Sequence, residues 1–332
     1  MIETSPKIPR VAVIGAGIAG LSCATRLQEL GFQVHVYEKS TDPSGRMSTR
    51  ISDHWSADHG AQYFTARDPL FIQELNSWIQ ADVAAPWHPH LKVFKDNQWQ
   101  DKVSRETRYV GSPGMNSPGK HLAQDLSITF NQTIDHICYK NEKWLLHSIE
   151  TGSIEQQYDW LILALPAPQT RTLTKSIDES FNSLGTKVNM RGCWTVMVRC
   201  AQNLDMPFDA GFVNNEIISW VSRNNSKPGR AGDESWTIHT NPEWSEQHLN
   251  SESEEVIRLI IRCAEKLGFD FCNSTMTSHR WRYANGHIDP SPQFHLQKKW
   301  QLGICGDWLH DGRVEGAWLS GYKIANKISS LS

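Results

Sequence analysis

The sequence predicts an α/β fold in which a doubly wound (Rossmann-like) parallel sheet carries an inserted region of mixed α+β structure. A strand, a glycine loop, a helix and a second strand follow one another in residues 10–38. A strand followed by a helix occupies residues 302–328, near the other end of the chain. The whole chain has 332 residues, which is enough for about two domains. We therefore expect the two ends of the chain to share one domain and the middle to form another.

The first unit contains the clearest structural signals. Residues 10–14 are a short apolar run of the kind that is buried on both faces of a parallel sheet. Glycines punctuate residues 15–20, and apolar residues then recur at helical spacing until Gly31, a residue typical of helix ends. Residues 32–37 alternate and end at Glu38. This order predicts a βαβ unit.

The later elements are predicted from periodicity and turn chemistry. A helix over residues 69–80 precedes a loop rich in Pro and Gly at residues 112–119. We expect a short helix at 120–125, followed by strands at 128–137, 143–149 and 155–165, of which the last two form a hairpin. Residues 171–294 should form mixed α+β structure that includes a helix at 252–267. A final strand at 302–305 and a helix at 314–328 should follow.

Composition excludes several classes of protein. The chain has 33 Lys+Arg against 36 Asp+Glu, and this near balance argues against nucleic acid as a partner. The longest apolar run, residues 160–165, is far shorter than the roughly 20 residues that span a bilayer. Because the N-terminal residues also lack a signal-peptide pattern, we expect a cytoplasmic protein with no membrane partner.

The 7 cysteines show no C-x-x-C pair and no spacing typical of zinc ligands. An odd number without paired spacing favours reduced, structural thiols. We therefore predict neither a disulfide framework nor a metal site.

Gly15, Gly17 and Gly20 fit the G-x-G-x-x-G pattern of dinucleotide-binding loops. These glycines permit a tight turn, a close approach of the backbone to a pyrophosphate, and close packing of helix on strand. The free amides at the start of the following helix attract phosphate. Glu38 lies 18 residues beyond Gly20, at the end of the second strand, where a carboxylate can accept both ribose hydroxyls. This context predicts dinucleotide binding.

The glycine motif leaves NAD and FAD open. Residues 44–47 (SGRM) follow the acid closely, and a C-terminal strand brings Gly306 and Asp307 just ahead of a helix that begins VEGA at 314–317. This arrangement resembles the large family of amine-oxidase-like flavoproteins, in which FAD lies extended and the C-terminal helix points at the flavin. The resemblance implies non-covalently bound FAD.

The same resemblance implies roles for individual residues. Arg46 would steady the FAD near its pyrophosphate, Asp307 would hydrogen bond the ribityl chain or reach the pyrophosphate through its loop amides, and the adenine would rest near the backbone of Ile134. The amides at the start of the last helix would face the N1/C2 carbonyl edge of the flavin and stabilise negative charge there. The expected cofactor-binding residues are Gly15, Gly17, Ile18, Ala19, Gly20, Glu38, Lys39, Gly45, Arg46, Met47, Gly60, Ala61, Gln62, Tyr63, Ile134, Gly306, Asp307, Val314, Glu315, Gly316 and Ala317.

Four segments narrow the resemblance: residues 58–67 (DHGAQYFTAR), 163–168 (LALPAP), 223–230 (RNNSKPGR) and 306–321. Together they resemble the bacterial renalases over essentially the whole chain, with Ser44 where that family usually has glycine. The resemblance implies oxidation of isomeric dihydronicotinamide dinucleotides by FAD, giving NAD(P)⁺ and then hydrogen peroxide from O₂.

The residues themselves agree with a substrate that reduces the flavin directly. A second G-x-G-x-x-G and a redox-active cysteine pair are both absent from the sequence. No acid–base constellation of convincing spacing identifies a catalytic residue, and hydride transfer to a flavin requires orientation more than a general base. The catalytic residues are therefore unknown at this stage.

Cations and aromatic residues mark candidate substrate contacts. Arg223, Lys227 and Arg230 lie close to Trp220, and residues 279–283 (HRWRY) repeat the mixture. A solvated basic turn, an amphipathic strand with one buried face, and a core histidine remain open as alternatives. The substrate-pocket candidates are Arg223, His239, Trp281 and Tyr283.

We expect an FAD-binding domain made of residues 1–68, 111–170 and 297–332, and a substrate domain made of 69–110 and 171–296. Three functional hypotheses remain: a renalase-like oxidase that acts on a small dinucleotide with O₂ as acceptor, an amine oxidase or desaturase of the same superfamily, and a non-catalytic flavin-binding module. An apolar tunnel or an aromatic cage would favour the second hypothesis, whereas a basic pocket favours the first.

Overall fold

The computed structural model describes residues 8–331, apart from the side chain at position 182. The strands in this part of the chain are β1 (Arg10–Ile14), β2 (Gln33–Tyr37), β3 (Thr49–Ile51), β4 (Ser56–Asp58), β5 (Ala84–Trp87), β6 (Leu91–Lys95), β7 (Gln98–Asp101), β8 (Arg108–Gly111), β9 (Ile128–Thr129), β10 (Ile134–Lys140), β11 (Lys143–Ser148), β12 (Gly152–Tyr158), β13 (Trp160–Leu163), β14 (Arg191–Arg199), β15 (Ala210–Val213), β16 (Ile218–Arg223), β17 (Ser235–Thr240), β18 (Thr275–Asn285), β19 (His295–Gln297) and β20 (Leu302–Ile304). The α-helices are α1 (Ile18–Glu29), α2 (Pro69–Gln80), α3 (Ser117–Ala123), α4 (Ala167–Thr174), α5 (Glu179–Thr186), α6 (Pro242–Gln247), α7 (Ser253–Glu265) and α8 (Val314–Ser329).

A six-stranded sheet unites the two ends of the chain. Its order is β19-β20-β13-β1-β2-β9, and all neighbours run parallel except β19, which is antiparallel to β20. Helices α1 and α8 pack against each other: the Ser22 hydroxyl donates to the Trp318 carbonyl (2.9 Å), and Arg26 Nε donates to Asn326 Oδ1 (3.0 Å). The predicted α/β fold with a Rossmann-like sheet is confirmed.

The turn from β1 into α1 depends on glycine at two positions. Gly15 has φ +104°, a conformation that L side chains rarely adopt. A Cβ at Gly20 would stand 2.0 Å from the Gly15 carbonyl oxygen. The helix therefore starts close behind the strand only because neither position carries a side chain.

A seven-stranded sheet forms the second layered unit, in the order β18-β14-β17-β16-β15-β6-β7. Its buried core contains Trp194 and Trp236 on the sheet and Ile260 on α7. These two of the 14 tryptophans in the chain therefore serve in core packing. Strands β6 and β7 join strands from residues 191–285 in this sheet, and the exact domain limits stay a prediction.

Three predicted elements differ from those observed. The strand predicted over 155–165 is two strands in two sheets, because the chain turns at Asp159, whose carboxylate accepts a hydrogen bond from the Arg10 amide (2.8 Å). The strand predicted over 128–137 is likewise divided, with Asn131 at φ +56° between β9 and β10. Helix α3 begins at Ser117, before the predicted start at 120, because Pro118 fits a first helical turn. The predicted hairpin is confirmed by the antiparallel pairing of β11 and β12.

None of the helices between residues 8 and 331 is long and apolar enough to cross a membrane. The seven cysteines are free thiols.

Candidate functional site

A cavity of about 530 Å³ lies where the glycine loop, the start of α8 and the seven-stranded sheet meet. Most of the predicted cofactor-binding residues line it. They are Gly17, Ile18, Ala19, Arg46, Met47, Gly60, Ala61, Gln62, Tyr63, Gly306, Asp307, Val314 and Ala317. Residues from five separate stretches of sequence are therefore brought to one place.

The remaining predicted residues lie behind or away from this cavity. Gly15, Gly20, Gly45 and Gly316 belong to the turns that shape it rather than to its lining. The Glu38 carboxylate accepts hydrogen bonds from the Ala16 amide (2.7 Å) and the Ser40 amide (2.8 Å), so it braces the glycine loop. Lys39 is exposed, and Ile134 is buried at the start of β10.

The N-terminus of α1 is open for an anionic ligand. Its N-cap residue, Gly17, forms no side-chain cap, so the amides of the first turn have no side-chain acceptor at the N-cap and no intrahelical acceptor. A Cβ built on Gly17 would meet no atom within 4 Å, which places open space beside these amides. Amides and the helix dipole together favour phosphate at this position. The arrangement fits the pyrophosphate of a dinucleotide.

The N-terminus of α8 opens on the same cavity. Val314 and Ala317 line it, and the N-cap Arg313 forms no side-chain cap. The Glu315 side chain points elsewhere: its Oε1 accepts from the amides of Arg67 and Asp68, both at 2.6 Å. Glu315 therefore ties the loop before α2 to the start of α8. Two helix N-termini thus favour negative charge at two points of one cavity.

Arg46 and Asp307 form a bidentate ion pair on the cavity wall. The two bonds measure 2.9 and 2.5 Å, and the guanidinium also donates to the Ala284 carbonyl at 2.9 Å. Asp307 is buried and Arg46 is partly exposed. The pair joins residues 261 positions apart in the sequence. Their predicted contacts with the pyrophosphate and the ribityl chain stay predictions, and both residues line the cavity.

The wall opposite the glycine loop is aromatic. Tyr63, Trp220, His239 and Trp281 all line the cavity. The Trp281 indole donates to the His59 carbonyl (2.8 Å) and its ring stacks on His59 with centroids 5.4 Å apart. Burial, with a smaller contribution from the nearby Lys227 charge, lowers the pKa of His239 to about 4. Near neutral pH this histidine is therefore an uncharged part of the wall.

Two of the four predicted substrate residues do not line the cavity. Arg223 lies an odd number of residues from Trp220 on β16 and so faces the other side of the sheet, where it donates to the Met206 carbonyl (2.6 Å). Tyr283 packs against the apolar cluster around Trp308. A bulge in β18 opposite residues 191–193 separates Tyr283 from the face of Trp281. His239 and Trp281 do line the cavity.

Lys227 and Arg230 are neither a solvated turn nor cavity residues. Lys227 Nζ lies 3.0 Å and Arg230 Nη2 2.7 Å from Asp58 Oδ2, and all three side chains are at most 1% exposed. Burial alone would raise the pKa of Asp58, but the two adjacent cations hold it well below its usual range. Burial lowers the pKa of Lys227 to about 8 although Asp58 opposes this shift. The cations predicted to meet a substrate instead neutralise an internal carboxylate.

Sequence reasoning missed Trp220 as a cavity residue and Asp58 as a charge partner. Side chains an odd number of residues apart on a strand point to opposite faces. Trp220 and Arg223 therefore could not both line the cavity, and Trp220 was the alternative to Arg223 on β16. No local signal identifies Asp58 as the partner of Lys227, which lies 169 residues away. In the described part of the chain, no three His, Cys, Asp or Glu side chains group as a metal site would require.

Comparisons with known proteins agree with this architecture. The family described as an NAD(P)-binding Rossmann-like domain matches residues 13–75. An L-amino-acid oxidase from Sistrurus catenatus edwardsii is 27% identical over 160 residues, which cover 46% of this chain and 30% of that protein. The chain thus matches under a third of this relative's length.

Solved structures match over nearly the whole chain. A protein assigned as a protoporphyrinogen oxidase from Exiguobacterium sp. 255-15 superposes with a TM-score of 0.77 at 12% identity, covering 99% of this chain and 100% of that one. Cyclohexylamine oxidase from Brevibacterium oxydans gives a TM-score of 0.73 at 13% identity, covering 98% and 99%. At such identities the likeness concerns the fold alone, which these oxidases share with this chain.

Proposed function

We propose that this chain, which has the fold of the amine-oxidase-like flavoproteins, is an FAD-dependent oxidase of isomeric (2- or 6-) dihydro-NAD(P). The reaction transfers a hydride from the substrate to FAD and yields NAD(P)⁺, and O₂ then takes up the electrons to give hydrogen peroxide. The observation that carries the proposal is the cavity itself, where two helix N-termini face an aromatic wall whose histidine is uncharged.

The residues of the glycine loop and of α8 fit FAD. The α1 amides behind Gly17 would bind the pyrophosphate, and the α8 amides that follow Arg313 would face the flavin edge that gains negative charge on reduction. Arg46, which pairs with Asp307, lines the same cavity. When bound, FAD supplies the hydride acceptor.

The aromatic wall suits a nicotinamide ring. Trp220 and Trp281 offer planar faces for stacking within the cavity. A dihydronicotinamide becomes a cation when it loses a hydride, and an uncharged His239 does not oppose that charge. One ring nitrogen of His239 is also in contact with the protein, because Gln62 Nε2 lies 3.4 Å from its Nε2. His239 therefore has an orienting role rather than an acid–base role.

An amine oxidase or desaturase is the second candidate. It is favoured by similarity to an L-amino-acid oxidase and to a cyclohexylamine oxidase, and by the Tyr63–Trp220 ring pair, whose centroids are 5.6 Å apart. The cavity lacks the basic pocket first expected for a dinucleotide, because Lys227 and Arg230 pair with Asp58. A non-catalytic flavin-binding module is the third, and it does not explain why an α8 N-terminus opens on the cavity.

The test is anaerobic mixing of the FAD-loaded protein with 2- and 6-dihydro-NAD, the corresponding NADP isomers, ordinary NADH, and a panel of amines. Flavin reduction is followed as loss of absorbance at about 450 nm. We expect bleaching by a non-standard dihydro isomer and not by NADH or amines. After air is admitted, hydrogen peroxide should form in proportion to the substrate oxidised.

If only amines bleach the flavin, the proposal is overturned in favour of an amine oxidase. If none of these compounds bleaches a flavin that can be photoreduced and reoxidised by air, the protein is better regarded as a flavin-binding module. Trp281→Leu is the matched variant, because it removes one face of the cavity wall and should slow bleaching without removing a glycine-loop contact.

A further inference from the structure

We propose that Lys227 is a positioning residue that acts through Gln62 to hold His239 as the neutral tautomer with its hydrogen on Nδ1. Lys227 does not line the cavity, whereas Gln62 and His239 do. The inference concerns which ring nitrogen of His239 carries the hydrogen in the cavity wall. It is independent of the proposed function except in its consequence for the substrate.

The first step is the charge of Lys227. Its Nζ lies 3.0 Å from Asp58 Oδ2 and its side chain is completely buried. Asp58 Oδ2 also accepts from Arg230, while Oδ1 accepts from the Thr49 hydroxyl (2.7 Å) and the Met115 amide (3.0 Å). A carboxylate with four donors remains ionised, and an ionised partner favours the ammonium form of the lysine.

The second step is the orientation of the Gln62 amide. Lys227 Nζ and the Ser222 hydroxyl lie 3.1 and 2.7 Å from one end of the amide. Because an ammonium group can only donate, that end must be the carbonyl oxygen. The opposite end faces the carbonyls of Asp58 (2.7 Å) and Gly60 (3.1 Å), which can only accept. The NH₂ group of Gln62 is thus fixed from both sides.

The third step is the histidine. Gln62 Nε2 lies 3.4 Å from His239 Nε2. The two hydrogens of this NH₂ group have three acceptors within reach, so the hydrogen directed toward the Gly60 carbonyl is shared with His239 Nε2. A hydrogen on His239 Nε2 would oppose it, donor against donor, so this nitrogen carries the lone pair. In a neutral ring the hydrogen then lies on Nδ1. A doubly protonated ring would meet the same conflict.

The consequence for the substrate rests on the proposed function. A hydride donor that becomes cationic is better accommodated by a histidine that can take no proton at Nε2. Lys227 and Gln62 together therefore keep His239 uncharged in the cavity wall.

Nitrogen-15 NMR of the full-length, FAD-loaded protein labelled at histidine tests the assignment directly. The His239 signals are identified by their loss in His239→Asn. We expect a protonated Nδ1 and an unprotonated Nε2 in the wild type. In Gln62→Glu the NH₂ donor becomes a carboxylate oxygen, so the hydrogen should move to Nε2 or the ring should carry two.

A matched pair of variants separates positioning from loss of stability. Lys227→Met and Arg230→Met each remove one cation from Asp58, but only Lys227 contacts Gln62. We expect the wild-type tautomer to be lost or mixed in Lys227→Met and retained in Arg230→Met. If Lys227→Met does not fold, the wild-type and Gln62→Glu spectra still decide the question.

A hydrogen on Nε2 in the wild type, or an unchanged pattern in both Gln62→Glu and Lys227→Met, would overturn the inference. These NMR results do not depend on turnover. If the dihydro isomers fail to bleach the flavin while the tautomer shifts as expected, the proposed function fails and the positioning role stands.

Discussion

At the scale of single residues, the buried ion cluster of Asp58, Lys227 and Arg230 is the largest departure from sequence-based expectation. One carboxylate pairs with two cations at 3.0 and 2.7 Å, with all three side chains removed from water. Such a cluster does not guarantee stability, because desolvation opposes the Coulombic attraction. Its members nevertheless depend strongly on one another, since any one left alone would be a buried charge without a partner.

Asp58→Asn should therefore be strongly destabilising. The substitution keeps the shape of the side chain but leaves Lys227 and Arg230 without a counter-charge, at a cost of about 3–5 kcal/mol. Equilibrium urea unfolding measures the loss. Asp101→Asn is the control, because Asp101 pairs with His90 and Lys92 at the exposed surface and should change stability little. Equal effects from the two substitutions would contradict the importance of the cluster.

At the scale of elements, the best-predicted part of the molecule is the one whose signal is local. The β1–α1–β2 unit lies within 28 residues, and its glycines, apolar runs and terminal acid are adjacent in sequence. Trp281 and His239 were identified from aromatic and cationic neighbours along the strand. Arg223 and Tyr283 do not line the cavity, because the facing of β16 and a bulge in β18 decide which side chains reach it.

Gly17 and Gly20, the two glycines at the N-terminus of α1, should respond differently to replacement by alanine. Gly17→Ala places its methyl group in open space, so we expect unchanged thermal stability without cofactor but FAD binding weakened by about tenfold, or about 1.4 kcal/mol. Gly20→Ala drives its methyl group to 2.0 Å from the Gly15 carbonyl and should destabilise the protein by about 1–3 kcal/mol. Thermal unfolding and FAD titration measure both effects. Unimpaired FAD binding by Gly17→Ala would exclude close approach of a ligand there.

Glu315 gives a second prediction at the level of elements. Glu315→Gln keeps the acceptor but removes the charge that strengthens the bonds from Arg67 and Asp68, so we expect a loss of about 1–2 kcal/mol. Hydrogen exchange at these two amides should accelerate. Glu106→Gln is the matched control, because Glu106 contacts the exposed Arg67 side chain rather than the backbone. Equal exchange in both variants would show that Glu315 does not tie the loop.

At the scale of the whole molecule, several histidines are held uncharged by burial. Burial lowers the pKa of His59 to about 3, and the pKa values of His239 and His279 to about 4. In the unfolded chain these groups take up protons near pH 6.5, whereas in the folded protein they do so only near pH 3–4. Acid therefore favours the unfolded state, and the stability present above pH 6.5 should decline as the pH falls toward 4.

Urea unfolding at pH 7.5 and pH 5 should show this decline, on the order of 1 kcal/mol for each buried histidine. His239→Gln should make the dependence shallower, because it removes one of the groups. Asp58 does not contribute to the change between these two pH values. Because its pKa is lowered in the folded protein, the stability that its ionised form provides is lost only below about pH 4. A free energy of unfolding that is the same at both pH values would contradict the neutral state of these side chains.

The sheet that holds the glycine loop is closed by β20, and α8 packs on α1 through Ser22 and Arg26. During synthesis on the ribosome, the glycine loop is made about 280 residues before β20 and α8, the strand and helix that complete its sheet and its cavity. Until those residues are made, the apolar surfaces of β1 and α1 that they cover stay exposed. We therefore expect a ribosome stalled before residue 302 to hold a chain that binds FAD less tightly than the complete chain does.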